Sequence, residues 1–556
     1  MTGIARSTRH ALALVALLAT AALALAGCLR LPESGETHRV DTTQGDDTGG
    51  YVVNASGPAD GASPADIVNG FLLASADTRG SHEVAREYLT ESFAPEWQPD
   101  AGVQILTGLP GVDVTDPGAV TASGEGDGTV DAAGVYHDGS GPVRQEYRLV
   151  QEDGQWRIAR APDGVTITRS SFELTFRAIR LAYLSPDGET LVPDVRWFQS
   201  GDQMATRVAR AFLAGAVDPV RSGTRPLPTA DLHLTVDSVA ISGGTATVSL
   251  TGDYPSLSDD DQRDFKTLLE RSLDQIDGVG RIEVTVNSLR LDASTRSTEE
   301  LDFPSVSDGR MAVVDDDGAR IVDEQSWMDR SGDSGLTDAL RTLQGRQVGS
   351  IAVVSGRLAA GTGDGLLVAG GSGAAHLLAG RLQGPVTLDR TGRAWGIVDG
   401  ALTWLAGDGS HATLALSAGV LAAAVSVDGA RVAWAQPDGT GATLHAAGIV
   451  RAADGTPQGL GATTDLGRID GTLTGLAWQG DDQVAAASDA DGGTVVIPAL
   501  SGRAQRTTGG GVVTDLVGDP AGGALRGVVG GRVLQLGSGQ WGDTGRAASA
   551  LAWVWS

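Results

Sequence analysis

One thiol, Cys28, occurs in the 556 residues, directly after Leu25-Ala26-Gly27. A lone cysteine closes no internal disulfide and builds no thiolate metal site, so its chemistry is that of a single sulfur open to modification. The eight histidines stand at 10, 38, 82, 137, 233, 376, 411 and 445, none four residues from another, so a His-Glu-x-x-His zinc helix is absent. Lys266 is the one lysine, in Asp264-Phe265-Lys266-Thr267, whereas a phosphate loop needs Gly-Lys-Ser/Thr. Walker-type nucleotide binding is therefore excluded, and there is no Gly-x-Ser-x-Gly elbow. Gly361-Thr362-Gly363-Asp364-Gly365 precedes no helix and reads as a hairpin turn. Asp315-Asp316-Asp317-Gly318 puts Val313 where an EF-hand needs its first ligand, so it too reads as a turn. Acid pairs could meet in space as glycosidases require, since there are 69 acids to draw on. No catalytic, cofactor-binding or metal-binding residue is assigned, and no cofactor is expected.

The residues before Cys28 explain its position. Arg6 and Arg9 precede an uncharged apolar run, Ala11 to Leu25, which ends in the small pair Ala26-Gly27. That is the order of a secretory leader, and the run is short for a bilayer span. Residues 1–27 are thus read as a signal peptide. Leu-Ala-Gly-Cys resembles the lipobox of bacterial lipoproteins, which implies cleavage between Gly27 and Cys28. It also implies an S-diacylglycerol on the Cys28 sulfur and N-acylation of its new amino group, palmitate-like chains included. Two or more chains give stable anchoring at about 0.8 kcal/mol per buried methylene. The expected location is the extracytoplasmic face of the cell membrane.

Charge supports an acyl anchor over a basic patch. The chain carries a formal charge of −28, and losing the leader with its two arginines takes it to −30. Such a surface repels phosphate backbones, so nucleic acid is not an expected partner, and it repels anionic head groups as well.

The elements behind these residues divide the chain. Residues 28–62, rich in Gly, Asp, Thr, Ser and Pro, read as a flexible tether. The 34 residues after Cys28 span about 32 Å. Ser63-Pro64-Ala65-Asp66 caps a helix with Ile67, Val68, Phe71 and Leu72 on one face, and a second helix is expected over 83–89. Strands are then expected over 119–122, 129–136, 143–151 and 156–160, which makes 63–171 an α+β domain. It resembles the cone-shaped nuclear-transport-factor-like fold. Over 172–295 the order is hairpin, helix 202–214, strand pair across Gly243-Gly244, helix 258–277 and strand 281–286, with Asp259-Asp260-Asp261 in the first turn of the second helix. This order, with Leu213-Ala214-Gly215-Ala216 and Asp277-Gly278-Val279, resembles the GerMN domain of spore-germination and envelope proteins.

From 296 to 556, strand-turn-strand units recur about Gly318, Gly356, Asp389 to Trp395, Asp428 to Trp434, Asp481 to Val484 and Gly522 to Leu525. Their spacing fits one blade per step of a six-bladed β-propeller. The expected fold class is thus multidomain and mainly β. Leader, lipobox, tether, α+β domain, GerMN-like domain and propeller in this order resemble the LpqB family of actinobacterial lipoproteins. The resemblance implies a non-catalytic accessory of a two-component sensor kinase that governs envelope and division, partnered by the kinase's extracellular domain or another envelope protein. The alternative is a wall-glycan binder or hydrolase with its sugar site at the propeller mouth, where Trp395, Trp434 and Trp478 would be the platform. Burial of these rings between blades is the expectation that removes it.

Overall fold

The computed structural model describes residues 55–77, 82–227, 232–236, 238–252, 257–298, 300–303, 306–330, 334–370, 374–416, 419–508, 510–519 and 522–555. The leader, Gly27, Cys28 and the tether as far as residue 54 lie outside them. The described chain is multidomain and mainly β.

Helix α1 (Pro64–Ala74) begins at a reciprocal cap: the Ser63 hydroxyl accepts the Asp66 N–H, and the Asp66 carboxylate accepts that of Ser63. Ile67, Val68, Phe71 and Leu72 are buried on one face. Helix α2 (Glu83–Arg86) is a single turn, shorter than expected. Strands β1 (Gly102–Leu106), β2 (Gly111–Asp116), β3 (Ala119–Asp131), β4 (Tyr136–Glu152), β5 (Gln155–Arg160) and β6 (Val165–Thr168) form one sheet, ordered β5-β4-β3-β1-β6 with β2 also on β3. Because β3 pairs with β2 along its first half and β1 along its second, the sheet bends over α1. The strand expected over 129–136 is broken at Asp131. Its carboxylate accepts the N–H groups of Ala133 and Val135 and turns the chain through Gly134, a local bond that alternation does not reveal.

Helix α3 (Arg169–Thr175) leads into the hairpin β7 (Phe176–Leu184) and β8 (Leu191–Gln199), then α4 (Met204–Leu213). Next come β9 (His233–Leu234), β10 (Ala240–Ser242), β11 (Thr245–Thr251), α5 (Asp259–Leu273), β12 (Arg281–Val286) and β13 (Leu289–Arg290). β10 and β11 pair across Gly243-Gly244, and β11 and β12 run parallel with α5 as the crossover. The Ser258 side chain accepts the Asp261 N–H, and the three aspartates occupy the first turn of α5, where the helix dipole favours them. α4 and α5 meet through Phe212 and Phe265, both 0% exposed.

The described strands of the remaining chain form six antiparallel blades, the sixth and the first joined into one seven-stranded sheet by a short parallel pairing of their inner strands. Blade 1 is Val348–Val354, Arg357–Thr362, Gly365–Gly370 and His376–Ala379; blade 2 is Leu382–Leu388, Ala394–Val398, Ala401–Leu405 and His411–Leu414. Blade 3 is Ala422–Val425, Arg431–Asp438, Gly441–Arg451 and Pro457–Asp470; blade 4 is Leu473–Gln479, Gln483–Ser488, Thr494–Ala499 and Gly502–Thr508. Blade 5 is Asp515–Val517, Leu525–Val529, Arg532–Gly537 and Gln540–Ala547. Blade 6 joins the two ends of this region: its inner strand Ala550–Trp555 pairs with Val306–Asp315, which pairs with Gly318–Asp323. Each inner strand touches the next, and the last returns to the first where Val554 lies parallel to Val353. The ring therefore closes, as in a propeller. Side chains pin inner strands to their neighbours: Ser350 Oγ accepts the Val386 N–H at 3.0 Å, Thr387 Oγ1 the Val425 N–H at 3.1 Å and Asp515 Oδ2 the Leu551 N–H at 2.8 Å.

The six repeating turns of the sequence are not all in phase. Five join the first strand of a blade to its second, whereas the turn at Gly318 joins the second strand of blade 6 to its third. The first strand of that blade comes from the far end of the region, which no local pattern shows.

Candidate interaction surface

Strands alternate in direction within a blade. Turns from first to second and from third to fourth strand therefore gather on one face of the ring, and turns from second to third on the other. On the first face the two small domains are joined to blades 3 and 4, and Arg431 is the centre of the joint. Its side chain is 2% exposed. It pairs with Asp428, donates to the carbonyls of Asp481 at 2.7 Å and Pro193 at 3.4 Å, and stands 5.2 Å over the Trp478 ring. Arg180 from β7 reaches the Asp481 carboxylate at 3.5 Å. Burial pushes the Asp481 carboxyl up against the pull of both arginines, and burial with the adjacent Asp481 pushes Asp482 up to about 7.

Backbones meet at the same joint. A Cβ on Gly223 would stand 2.1 Å from the Ala430 carbonyl oxygen, and one on Gly448 would stand 2.3 Å from that of Pro219. Only glycine permits this approach. The first domain adds contacts at Ser501, whose Oγ accepts the Tyr136 N–H at 3.1 Å and whose carbonyl accepts Trp197 Nε1–H at 2.8 Å. Asp127 pairs with Arg169 and, at 3.4 Å, with Arg503 of blade 4. Burial and the Asp127 charge push the Tyr136 hydroxyl up to about 12, so it stays a donor, to the Asp127 carbonyl at 3.0 Å.

The other face is open. Among the described residues, no hydrogen bond or ion pair from the two small domains reaches its turns at Asp315–Gly318, Thr362–Gly365, Asp399-Gly400, Asp438–Gly441 or Asp489–Gly493. Charge pairs decorate it: Arg346–Asp364 at 2.9 Å, Arg468–Asp438 at 3.3 Å and Arg506–Asp491 at 3.9 Å, their aspartates well exposed. Between the faces lies a central cavity of about 100 Å³ walled by the inner strands, Asp515, Trp478 and Trp553 among them.

The residues singled out by sequence divide accordingly. Gly27 and Cys28 lie outside the described residues. Trp395 and Trp434 are 1% and 3% exposed between blades 2 and 3, so their rings form no surface platform. Trp395 donates to Asp389 at 2.9 Å. Trp478 is half-buried, donates to the Ala424 carbonyl at 2.8 Å and lies under Arg431. The acidic run 315–317 is a turn in which Asp315 accepts the Asp317 N–H. Among the described residues there is no metal-ligating cluster, and no helix is long and apolar enough to cross a membrane. Sequence reasoning missed Arg431, Gly223 and Ser501. Arg431 follows the Asp428-Gly429 turn, but nothing local marks it as the residue that reaches another domain.

Two family models match. Residues 57–173 match the one described as Lipoprotein LpqB, N-terminal domain, and residues 180–292 the one described as Sporulation and spore germination. A "Lipoprotein LpqB" of Cutibacterium acnes is 30% identical over 271 residues, which cover 49% of this chain and 46% of the relative. One of Streptomyces avermitilis is 30% identical over 296 residues, covering 51% and 46%. The chain thus spans about half the length of the curated relatives it matches. Among solved structures, TolB from Acinetobacter baumannii is similar over 44% of this chain and 66% of its own, at 12% identity and a TM-score of 0.32. The closed ring rests on its own strand pairing and not on that likeness.

Proposed function

We propose that the chain is a member of the LpqB lipoprotein family and acts as a non-catalytic accessory module held at the extracytoplasmic face of the cell membrane. Cys28, diacylated on sulfur and acylated on nitrogen after cleavage behind Gly27, is the anchor, and the tether sets the distance from the head groups. The partner is a protein of the envelope, specifically the ectodomain of a two-component sensor kinase that governs envelope and division. The supporting observation is the two-sided ring: one face is committed to the chain's own small domains, and the other presents turns that no hydrogen bond or ion pair from those domains reaches among the described residues.

Co-purification of a sensor kinase ectodomain with the full chain carrying Cys28→Ala tests the reading. Enrichment over an unrelated acidic propeller is expected, and reversal of Arg346, Arg468 and Arg506 to Glu should abolish it without lowering the melting temperature. Equal recovery with the unrelated propeller would remove the kinase. Cys28→Ala should also release the protein from the membrane fraction, and retention would show another anchor.

A further inference from the structure

The first two domains are fastened to each other around a gap that they do not fill. On one margin Arg196 Nη1 donates to the Ala133 carbonyl at 2.8 Å and the Trp197 N–H to that of Gly134 at 2.7 Å. On another, Gln199 Nε2 donates to the Ala76 carbonyl at 2.9 Å and Arg207 pairs with Asp100 at 3.0 Å. Between these fastenings lies a cavity of about 390 Å³, walled by Val103, Val130 and Val165 of the first sheet, Phe176 and Phe198 of the hairpin, and Ala211 of α4. Its volume falls in the range of small-molecule sites, and apolar walls hold water poorly. Packed interiors leave few such voids, and the polar bonds at the margins keep this one from collapsing.

Two buried polar side chains on the cavity wall each keep one atom without a partner. Gln199 is 6% exposed; its amide nitrogen serves Ala76, and nothing among the described residues donates to its Oε1. His82 is 2% exposed beside the Ser75 carbonyl, and its Nδ1 has no hydrogen-bond partner among the described residues. Burial, aided by Arg207, pushes the His82 ring down to about 4, so it is neutral at ordinary pH. Ser75 and Ala76 follow α1 directly, so the two side chains make one end of the cavity polar and uncharged. The ionised groups of the wall are already answered: Arg196 holds Asp194 at 2.6 and 2.9 Å, Arg207 holds Asp100, and Asp131 accepts the N–H groups of Ala133 and Val135. What the wall lacks is a donor for a neutral amide oxygen.

We infer that this cavity binds a neutral amphiphile with a free hydroxyl, of the class of long-chain alcohols and glycerides: the hydroxyl donates to Gln199 Oε1 beside His82, and the hydrocarbon lies against Val130, Phe176, Phe198 and Ala211. A hydroxyl both donates and accepts, so it also suits the neutral imidazole in either tautomer, whereas an ionised carboxylate only accepts and leaves Oε1 unserved. The inference is independent of the kinase.

The test is calorimetric titration of the full chain carrying Cys28→Ala with decanol. The comparators are decyl methyl ether, which keeps the chain but has no donor, and decanoate, which carries a charge instead; all are used below their solubility and micelle limits. Decanol should bind saturably, and each comparator at least tenfold more weakly. Gln199→Leu should weaken decanol at least tenfold and leave the ether unchanged, so that the two become alike; a merely structural role would move both. Ala211→Phe fills the apolar part without touching a polar group, so it should abolish binding, and it decides the matter should Gln199→Leu fail to fold. No saturable binding, equal affinity for either comparator, or an unchanged decanol affinity in a folded variant would overturn the inference. Solvent extraction of the parent purified from membranes separates the natural sources. A hydroxyl-bearing lipid present there and absent from Ala211→Phe identifies a membrane lipid, decanol binding without such a lipid identifies a free alcohol, and either result sustains the site.

Discussion

The two faces of the ring carry the same chemistry in opposite settings. On the joined face Arg431 and Asp428 are each 2% exposed, whereas on the open face Arg468 and Asp438 are 45% and 55% exposed. Water screens the second pair and leaves its side chains free to find other partners. The first pair has lost its water, and its charges depend on a fixed set of neighbours: Asp428 accepts from Ser426 and Ala430 besides Arg431, and Arg431 donates to two carbonyls besides Asp428. The comparison teaches that a buried pair fixes a permanent contact, while exposed pairs leave a surface that can exchange contacts with a transient one.

Breaking the centre of the joint should give the largest effect. Arg431→Met leaves the Asp428 carboxylate buried without its partner and removes donors from the Asp481 and Pro193 carbonyls. A loss of about 3–5 kcal/mol is expected in denaturant unfolding. Arg468→Met on the open face should cost about 0.5 kcal/mol or less. Similar losses for the two would erase the distinction between the faces.

Shape gives the next largest effect. Gly223→Val drives a side chain into the Ala430 carbonyl and should cost about 1–3 kcal/mol, with faster proteolysis between the second domain and the ring. On the open face, Gly439 at φ 59° has no described atom within 4 Å of the point where a Cβ would stand, so Gly439→Ala meets backbone strain alone. That change should cost about 1 kcal/mol and leave the proteolysis pattern unaltered.

What the sequence discloses follows the range of the interactions. The Ser63 cap, the α5 start at Ser258, the strand 281–286 and the blade turns are all local, so residue types and spacing reveal them. The closing strand Ala550–Trp555 pairs with Val306–Asp315 from the other end of the region, and the parallel edge β6 joins β1 across the whole first sheet, so neither has a local signature. The joint is hidden for the same reason. Gly223 and Gly448 look like ordinary loop and strand glycines until the two backbones are seen to touch. The proposed anchor is the reverse case: Cys28 is singled out by its neighbours alone, and it lies outside the described residues.

A third kind of charge lies between the faces, and its effect depends on pH. Asp515 is 6% exposed in the central cavity, accepts the Leu551 N–H and has no cation beside it among the described residues, so burial pushes its carboxyl up to about 7. Between about pH 4 and that value the folded protein keeps a proton that the unfolded chain has released, and stability must fall as pH rises through the interval. Asn keeps an acceptor for Leu551 and carries no charge. Asp515→Asn should therefore melt with the parent at pH 4 and a few °C above it at pH 8. A parent whose melting temperature instead rises from pH 5 to 7 relative to Asp515→Asn would mean that the carboxylate is ionised in the ring, held there by a cation that the inner strands themselves do not supply.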